Sequence, residues 1–288
     1  MLKLSIDIFV NSLYETLILF PYLYLTYLLM EYLEHVMSRS YFIYIKKSKQ
    51  YGPIIGGFLG LIPQCGFSVS SANLYRTGLI TLGTMFAIFL STSDEMVPIL
   101  ISRGITYPQI IKILSIKMIF AIIAGLLVDL FLPEKFISHK KEPDISAFCK
   151  QEKCKSINKK ESIFMSAYKH TEKISIFIFI CAFVINYFMG IGGLENIKNI
   201  LTNVPILSKF VAAFVGLIPS CYPSILLTQL YAEGTITLST LLAGSFSNAG
   251  LGLLVLYRIN PNKQETLRII ILIYGASVVL SMLSSIFF

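Results

Sequence analysis

Apolar residues along this chain gather into runs of about 20 positions, the length that crosses a bilayer as one helix, and these runs recur from end to end. The first spans Ile8 to Met30, and a polar loop with Arg39, Lys46, Lys47 and Lys49 follows. The next run, Gly52 to Tyr75, is long enough to cross but is punctuated by Gly56, Gly57, Gly60, Pro63 and Gly66. Proline removes a backbone donor and glycine a side chain. The run therefore reads as a helix–turn–helix that enters the membrane and returns, with Gln64-Cys65 at its tip. A further span, about Gly78 to Ser102, contains a polar break at Ser91-Thr92-Ser93-Asp94-Glu95, and Tyr107-Pro108 turns the chain into a span reaching Leu132. The one sizeable hydrophilic segment, 133–173, carries ten Lys and six acidic residues. Beyond it the plan returns: a span at about Ile174 to Gly193, a second interrupted run from Ile206 to Tyr231, and spans at Gly234 to Tyr257 and Thr266 to Phe287.

The two interrupted regions are copies. Phe58–Ser91 aligns with Phe214–Ser247 at a constant offset of 156 without a gap, and 16 of the 34 pairs are identical. They include Gly60/Gly216, Pro63/Pro219, Cys65/Cys221, Ser68/Ser224, Tyr75/Tyr231, Gly78/Gly234 and Thr84/Thr240, and Asn73 faces Gln229. Glycine and proline interrupting membrane-length runs at corresponding places of two halves point to a transporter site made from broken helices. The fold expected is an all-α polytopic membrane protein with a first repeat at 1–132, a Lys-rich linker at 133–173 and a second repeat at 174–288. Each repeat has three full spans and one interrupted re-entrant hairpin, about ten helical segments in all.

Composition agrees. The chain is 55% hydrophobic and 14% charged, where a soluble domain carries about a quarter charged residues. The net charge of +8 does not indicate nucleic acid, because the basic residues sit mostly in two loops. If each hairpin returns to its own side, one side collects 18 of the 24 Lys and Arg: the loop at 39–49, Arg76, the linker, Arg258, Lys263 and Arg268. The other holds Lys3, Arg103, Lys198 and Lys209. The basic side is cytoplasmic by the positive-inside rule, the odd number of crossings makes the repeats inverted, and both termini face outward. No cleavable signal peptide is expected, since the first apolar run is too long and lacks a cleavage site. Five Cys do not form a secreted disulfide framework.

The stretches GLIPQCG and GLIPSC, the LY-x-x-G that follows each, the Ser93-Asp94-Glu95 break and the loop between halves resemble the bacterial ten-helix heavy-metal exporters, whose members are labelled arsenic-efflux proteins or manganese transporters. The resemblance covers nearly the whole chain. It implies a multi-pass permease of the cytoplasmic membrane that exports a metal or metalloid. The family's central loop is often rich in His, Cys and acidic residues. This one is mainly Lys, with His139, His170, Cys149 and Cys154, which argues against a metal-gathering loop.

Candidate chemistry follows from depth. Gln64-Cys65 and Ser220-Cys221 occupy the hairpin tips, where half-helix N-termini favour anions and freed carbonyls favour cations. The thiols of Cys65 and Cys221 suit a soft ion such as trivalent arsenic, or else fill a gap beside the turn. Ser68, Asn73, Ser224, Thr228 and Gln229 follow on the returning half-helices and either line a path or bond neighbouring helices. Ser91, Ser93, Asp94 and Glu95 are the sharpest signal, because a charge at a helix centre costs about 2.5–3.5 kcal/mol on insertion scales and is functional by default. The matching break, Ser247-Asn248-Ala249-Gly250, lacks carboxylates. Asp94 and Glu95 therefore join Cys65 and Cys221 as candidate metal ligands, and proton or cation coupling is the role their position suggests. Antiparallel counting about the 103–107 turn brings Asp94 or Glu95 to the depth of Lys117, so a pair is expected there. Cys149-x4-Cys154 fits no strong zinc pattern and reads as a solvated linker. No nucleotide-binding loop is present, and no cofactor is expected.

The function expected is therefore a proton-coupled secondary transporter exporting a heavy-metal or metalloid species. The expected partners are the lipid bilayer, a small inorganic ion and, for assembly, further copies of the chain. A permease for another small solute such as an organic anion is the alternative. A channel is disfavoured by the inverted duplication, and an intramembrane hydrolase by the lack of a His-Glu-x-x-His motif or a second intramembrane Asp suitably placed.

Overall fold

The computed structural model describes residues 51–61, 65–93, 96–132, 163–188, 201 and 205–287, with scattered positions between 9 and 28. Regular structure among them is helical throughout. In the first half α1 is Gly52–Leu59, α2 Cys65–Arg76, α3 Leu82–Ser91, α4 Met96–Ser102 and α5 Tyr107–Phe131. Helix α6, Ile163–Phe188, opens the second half, and α7 Pro205–Gly216, α8 Cys221–Ala232, α9 Leu238–Ser247, α10 Leu251–Ile259 and α11 Lys263–Phe287 complete it.

The spacing of the sequence repeat extends to the helix bounds. Helices α2, α3 and α5 begin at 65, 82 and 107, and α8, α9 and α11 at 221, 238 and 263, each later by 156 (221 − 65, for example). Both interrupted runs are broken where glycine and proline predict, and α3 and α9 stop at the expected polar breaks. One boundary differs. Helix α6 starts at Ile163, not near 174, so its first turns lie in the segment read as linker. Hydropathy marks where a helix becomes apolar, whereas backbone hydrogen bonding carries it on through Lys169, Glu172 and Lys173 beyond the apolar zone. Shifted by 156, the first apolar run, 8–30, becomes 164–186, close to the observed helix.

Among the described residues, four stretches are long and apolar enough to cross a membrane: Leu82–Ser102 (α3 with α4), Tyr107–Phe131, Leu238–Ile259 (α9 with α10) and Lys263–Ile286. Their outward faces are apolar as well. In α5, Ile111, Ile119, Ile123, Leu127 and Leu130 are exposed while Ile113, Ile116, Lys117, Ala121, Ala124 and Val128 are buried. Such a surface is stable only against lipid, and the chain is a polytopic membrane protein.

Packing between helices runs through small residues. Helix α1 lies parallel to α3. A Cβ at Gly56 would stand 2.9 Å from the Thr84 carbonyl oxygen, and one at Gly60 would stand 1.9 Å from Ser91 Oγ. At the matching place in the second half, a Cβ at Gly216 would meet Ser247 Oγ and the Gly244 carbonyl at 2.2 Å each. Contact this close substitutes van der Waals packing for a hydrophobic drive that lipid cannot supply. The last turn of α2 closes on Gly78, whose φ of 75° (72° at Gly234) suits a residue without a Cβ. Thr81 caps α3 by accepting from Thr84 N at 3.0 Å, as Thr237 caps α9 by accepting from Thr240 N at 3.3 Å. Asp129 of α5 adds acceptors there, for Gly83 N at 2.7 Å and Thr81 Oγ1 at 2.6 Å, placing a carboxylate at a helix N-terminus.

The halves interlock. Helix α2 of the first half packs on α10 of the second, α8 of the second on α4 of the first, and α3 meets α9 where both stop. The N-terminal helical positions pack antiparallel to α6, with Phe9 against Phe179 and Phe183, and Phe20 against Tyr168.

The glycine contacts predict that Gly56→Leu destabilises the protein by about 1–3 kcal/mol through overpacking. Gly275→Leu, at an exposed helical position with nothing within 4 Å, is expected to be neutral or stabilising. Unfolding of both variants in detergent micelles measures the contrast.

Candidate functional site

A helix that stops inside an apolar core leaves its last carbonyls without helical partners. Both central helices do so. At the end of α3, Ser91 Oγ donates to the Ala87 carbonyl at 2.7 Å and Thr92 Oγ1 to the Ile88 carbonyl at 2.7 Å. At the end of α9, Ser247 Oγ donates to the Gly244 carbonyl at 3.0 Å, and Asn248 Oδ1 accepts from Gly250 N at 3.2 Å, supporting the turn into α10. Ser91, Thr92, Ser93, Ser247 and Asn248 are all buried. Two polar breaks thus lie together between the halves, walled by hydroxyls and carbonyl ends.

Lys117 bridges them. It belongs to the buried face of α5, and its side chain has 0% exposure. Its Nζ donates to the Thr92 carbonyl, just beyond the end of α3, and to Ser245 Oγ on α9 at 2.5 Å. A cationic side chain at a helix C-terminus also complements the negative end of the helix dipole. Ser245 Oγ in turn donates toward Met96 Sδ at 3.8 Å, at the start of α4. One turn along α5, Phe120 meets Phe246 edge-on with centroids 6.2 Å apart. A single buried amino group therefore ties α3, α5 and α9, and through Ser245 α4, across the boundary between halves.

Antiparallel counting brings Asp94 or Glu95 to the depth of Lys117, and among the described residues Lys117 meets Thr92 and Ser245. Asp94, Glu95 and Gln64 lie outside the described residues. Cys65 and Cys221 are the first residues of α2 and α8, but their side chains are likewise outside what is described, so the candidate thiol and carboxylate ligands are not located. Among the described residues no three His, Cys, Asp or Glu come together as a metal centre. Ser68, Asn73, Ser220 and Ser224 are buried and Gln229 is partly buried. Thr228 Oγ1 donates to its own helix at the Ser224 carbonyl, 2.7 Å away, as Ser91 and Ser247 do to theirs. These hydroxyl protons are committed to their own helices rather than to neighbours, leaving oxygen lone pairs as the groups available to a ligand.

Sequence reasoning missed Ser245, Met96, Tyr75, Glu265 and Asp129. The 156 offset held a signal for the first two. Ser245 stands opposite Phe89 and Met96 opposite Gly252, so the repeat exchanges large for small just where Lys117 enters.

The family comparison agrees with this architecture. A family model described as "Putative, 10TM heavy-metal exporter" matches residues 5–168 and 136–276, together most of the chain. No curated protein and no solved structure matches it. With membrane-spanning helices broken in corresponding places and a family match running through both halves, the chain belongs to the ten-transmembrane heavy-metal exporter family.

Proposed function

We propose that this protein is a secondary transporter of the bacterial cytoplasmic membrane that exports a heavy-metal or metalloid species, arsenic or a divalent metal such as manganese, in exchange for protons. The observation that carries the reading is Lys117, buried where two interrupted helices from different halves meet. Intramembrane ionisable groups at broken helices mark ion pathways, and broken helices at a repeat interface form transporter sites.

Contact between the halves supports an inverted arrangement. Inverted repeats that interlock exchange equivalent arms, and here α2 lies on α10 while its counterpart α8 lies on α4, the counterpart of α10. Antiparallel packing of α6 on the N-terminal helical positions has the same sense. In this arrangement α1–α2 and α7–α8 are re-entrant hairpins from opposite faces, with Cys65 and Cys221 at their tips. Rocking one half on the other would expose the breaks alternately to the two sides.

Asp94 and Glu95, which follow Thr92-Ser93 in the chain, hold the transported cation or the coupling proton, and Lys117 competes for the same carboxylates. An arriving cation displaces the amine, and the amine returns when the cation leaves, which makes occupancy and conformation interdependent. Cys65 and Cys221 provide soft ligands for a metalloid. The amine and surrounding hydroxyls would equally receive an anion, so an organic-anion permease is the second reading.

Proteoliposome flux with arsenite, divalent metals and organic anions tests this, under an imposed proton gradient and without one. Metal or arsenite flux accelerated by the gradient is the expected result, and flux of organic anions alone would replace the reading. Lys117→Met should lower stability, since it leaves the Thr92 carbonyl without its donor, and should lose transport by more than the fall in inserted protein, which is measured alongside the flux. Asp94→Lys or Glu95→Lys should abolish flux, and adding Lys117→Asp should restore part of it for the true partner.

For the tips, Cys65→Ser and Cys221→Ser should each weaken arsenite or soft-metal flux without lowering protein abundance. Full activity of the double variant would return both thiols to packing.

A further inference from the structure

The two interlocking contacts between halves are equivalent by sequence but unequal in the structure. Within α10, which lies on α2, Leu251, Gly252, Leu253, Val255, Leu256 and Ile259 are buried. Within α4, which lies on α8, the buried residues are Met96 and Leu100, and Ile101 is 46% exposed.

Two substitutions between the repeats account for the difference. A Cβ at Gly252 would lie 2.8 Å from the Ser68 carbonyl oxygen, so α10 touches the backbone of α2. The residue at the equivalent place in α4 is Met96 (252 − 156), too large for a backbone approach of that kind, with its sulfur toward Ser245 of α9. Tyr75, at the end of α2, is 2% exposed and donates to Glu265 Oε1 at 2.7 Å, across 190 residues of chain. Glu265, in the first turn of α11, is itself buried. In the second half the tyrosine persists as Tyr231 (75 + 156) but is only partly buried, and the carboxylate is replaced by exposed Gln109 (265 − 156). Glu265 is further fixed by its own helix cap, its N donating to Asn262 Oδ1 at 3.3 Å.

We propose that the α2–α10 contact is the closed gate of this conformation, that the Tyr75–Glu265 bond latches it, and that transport requires the latch to break as α4 closes on α8. The gate lies at the end that carries Arg76, Arg258, Lys263 and Arg268, which the charge distribution assigns to the cytoplasm. A buried bond between a phenol and a carboxylate suits a latch. It is strong while made, and once it opens the phenol must find another acceptor and the carboxylate another donor, or water. Gly252 makes the closed face tight, and the exchange to Met96 and Gln109 leaves the opposite face without an equivalent lock. The two gates are then built differently although the repeats are copies. The latch rests on the alternating-access reading, but its test needs no substrate and fails separately from the flux assay.

Hydrogen–deuterium exchange of the full chain in lipid nanodiscs reads both gates at once. In the unaltered protein, amides of 251–259 should exchange more slowly than those of 96–102. Tyr75→Phe, which keeps the ring and removes the hydroxyl, should speed exchange across 65–76 and 251–259 by roughly tenfold or more. It should slow 96–102 and 221–232, because opening one gate favours closure of the other. A merely structural bond would loosen its own end and leave the other unchanged. If Tyr75→Phe does not insert, Glu265→Gln carries the same expectation. Equal exchange at both ends of the unaltered protein, or no slowing at 96–102 and 221–232 in a variant that opens the other end, would overturn the proposal.

Discussion

A carbonyl freed by a helix break inside a bilayer has no water to accept from, and a lysine amine carried into the same layer has none to donate to. Each unsatisfied backbone group there costs several kcal/mol, and a charge at a helix centre about 2.5–3.5 kcal/mol on insertion scales. In this protein the two liabilities offset each other: Lys117 Nζ donates to the Thr92 carbonyl beyond the end of α3, and the remaining reach is taken by Ser245 of the other half. Much of the architecture serves that meeting. The interruption of α3, the small residues that admit α1 against it, and the exchange of arms between halves all bring polar ends to one buried place that neither half contains alone.

Duplication supplies the scaffold, and divergence between copies supplies the chemistry. The caps at Thr81 and Thr237, the tight turns at Gly78 and Gly234 and the serines at Ser91 and Ser247 are shared. Charge is not. Lys117 faces Ile273 in the alignment, Asp94 faces Gly250 and Glu95 faces Leu251. In the transporter proposed above, a site with its ionisable groups from one half and its accepting hydroxyl from the other would change whenever the halves move. That is the property exchange across a membrane requires of a binding site.

Much of this was legible in the residues because the repeat is written in glycine and proline, whose backbone effects are local. The interruption at Gly60-to-Gly66 follows from such rules, and the one after Ser91 from a run of polar residues; both are where helices stop. What escaped depends on rotation about helix axes and on contacts distant in sequence. Nothing local connects Tyr75 with Glu265, or turns Lys117 toward Ser245 rather than lipid. Asp129, near the end of a span, caps a helix from another segment, a contact that no local pattern announces. The start of α6 was misplaced because hydropathy was followed where the offset of 156 would have placed it within a residue.

The central claim is that two halves of opposite orientation meet at Lys117, and sidedness tests it most directly. Single cysteines at Ser48, Lys159 and Asn196, in a background without other reactive thiols, can be labelled with a membrane-impermeant reagent from either face. The account predicts that Ser48→Cys and Lys159→Cys react only from the cytoplasm and Asn196→Cys only from outside. Labelling of the first two from opposite faces would contradict it, because the halves would then share one orientation.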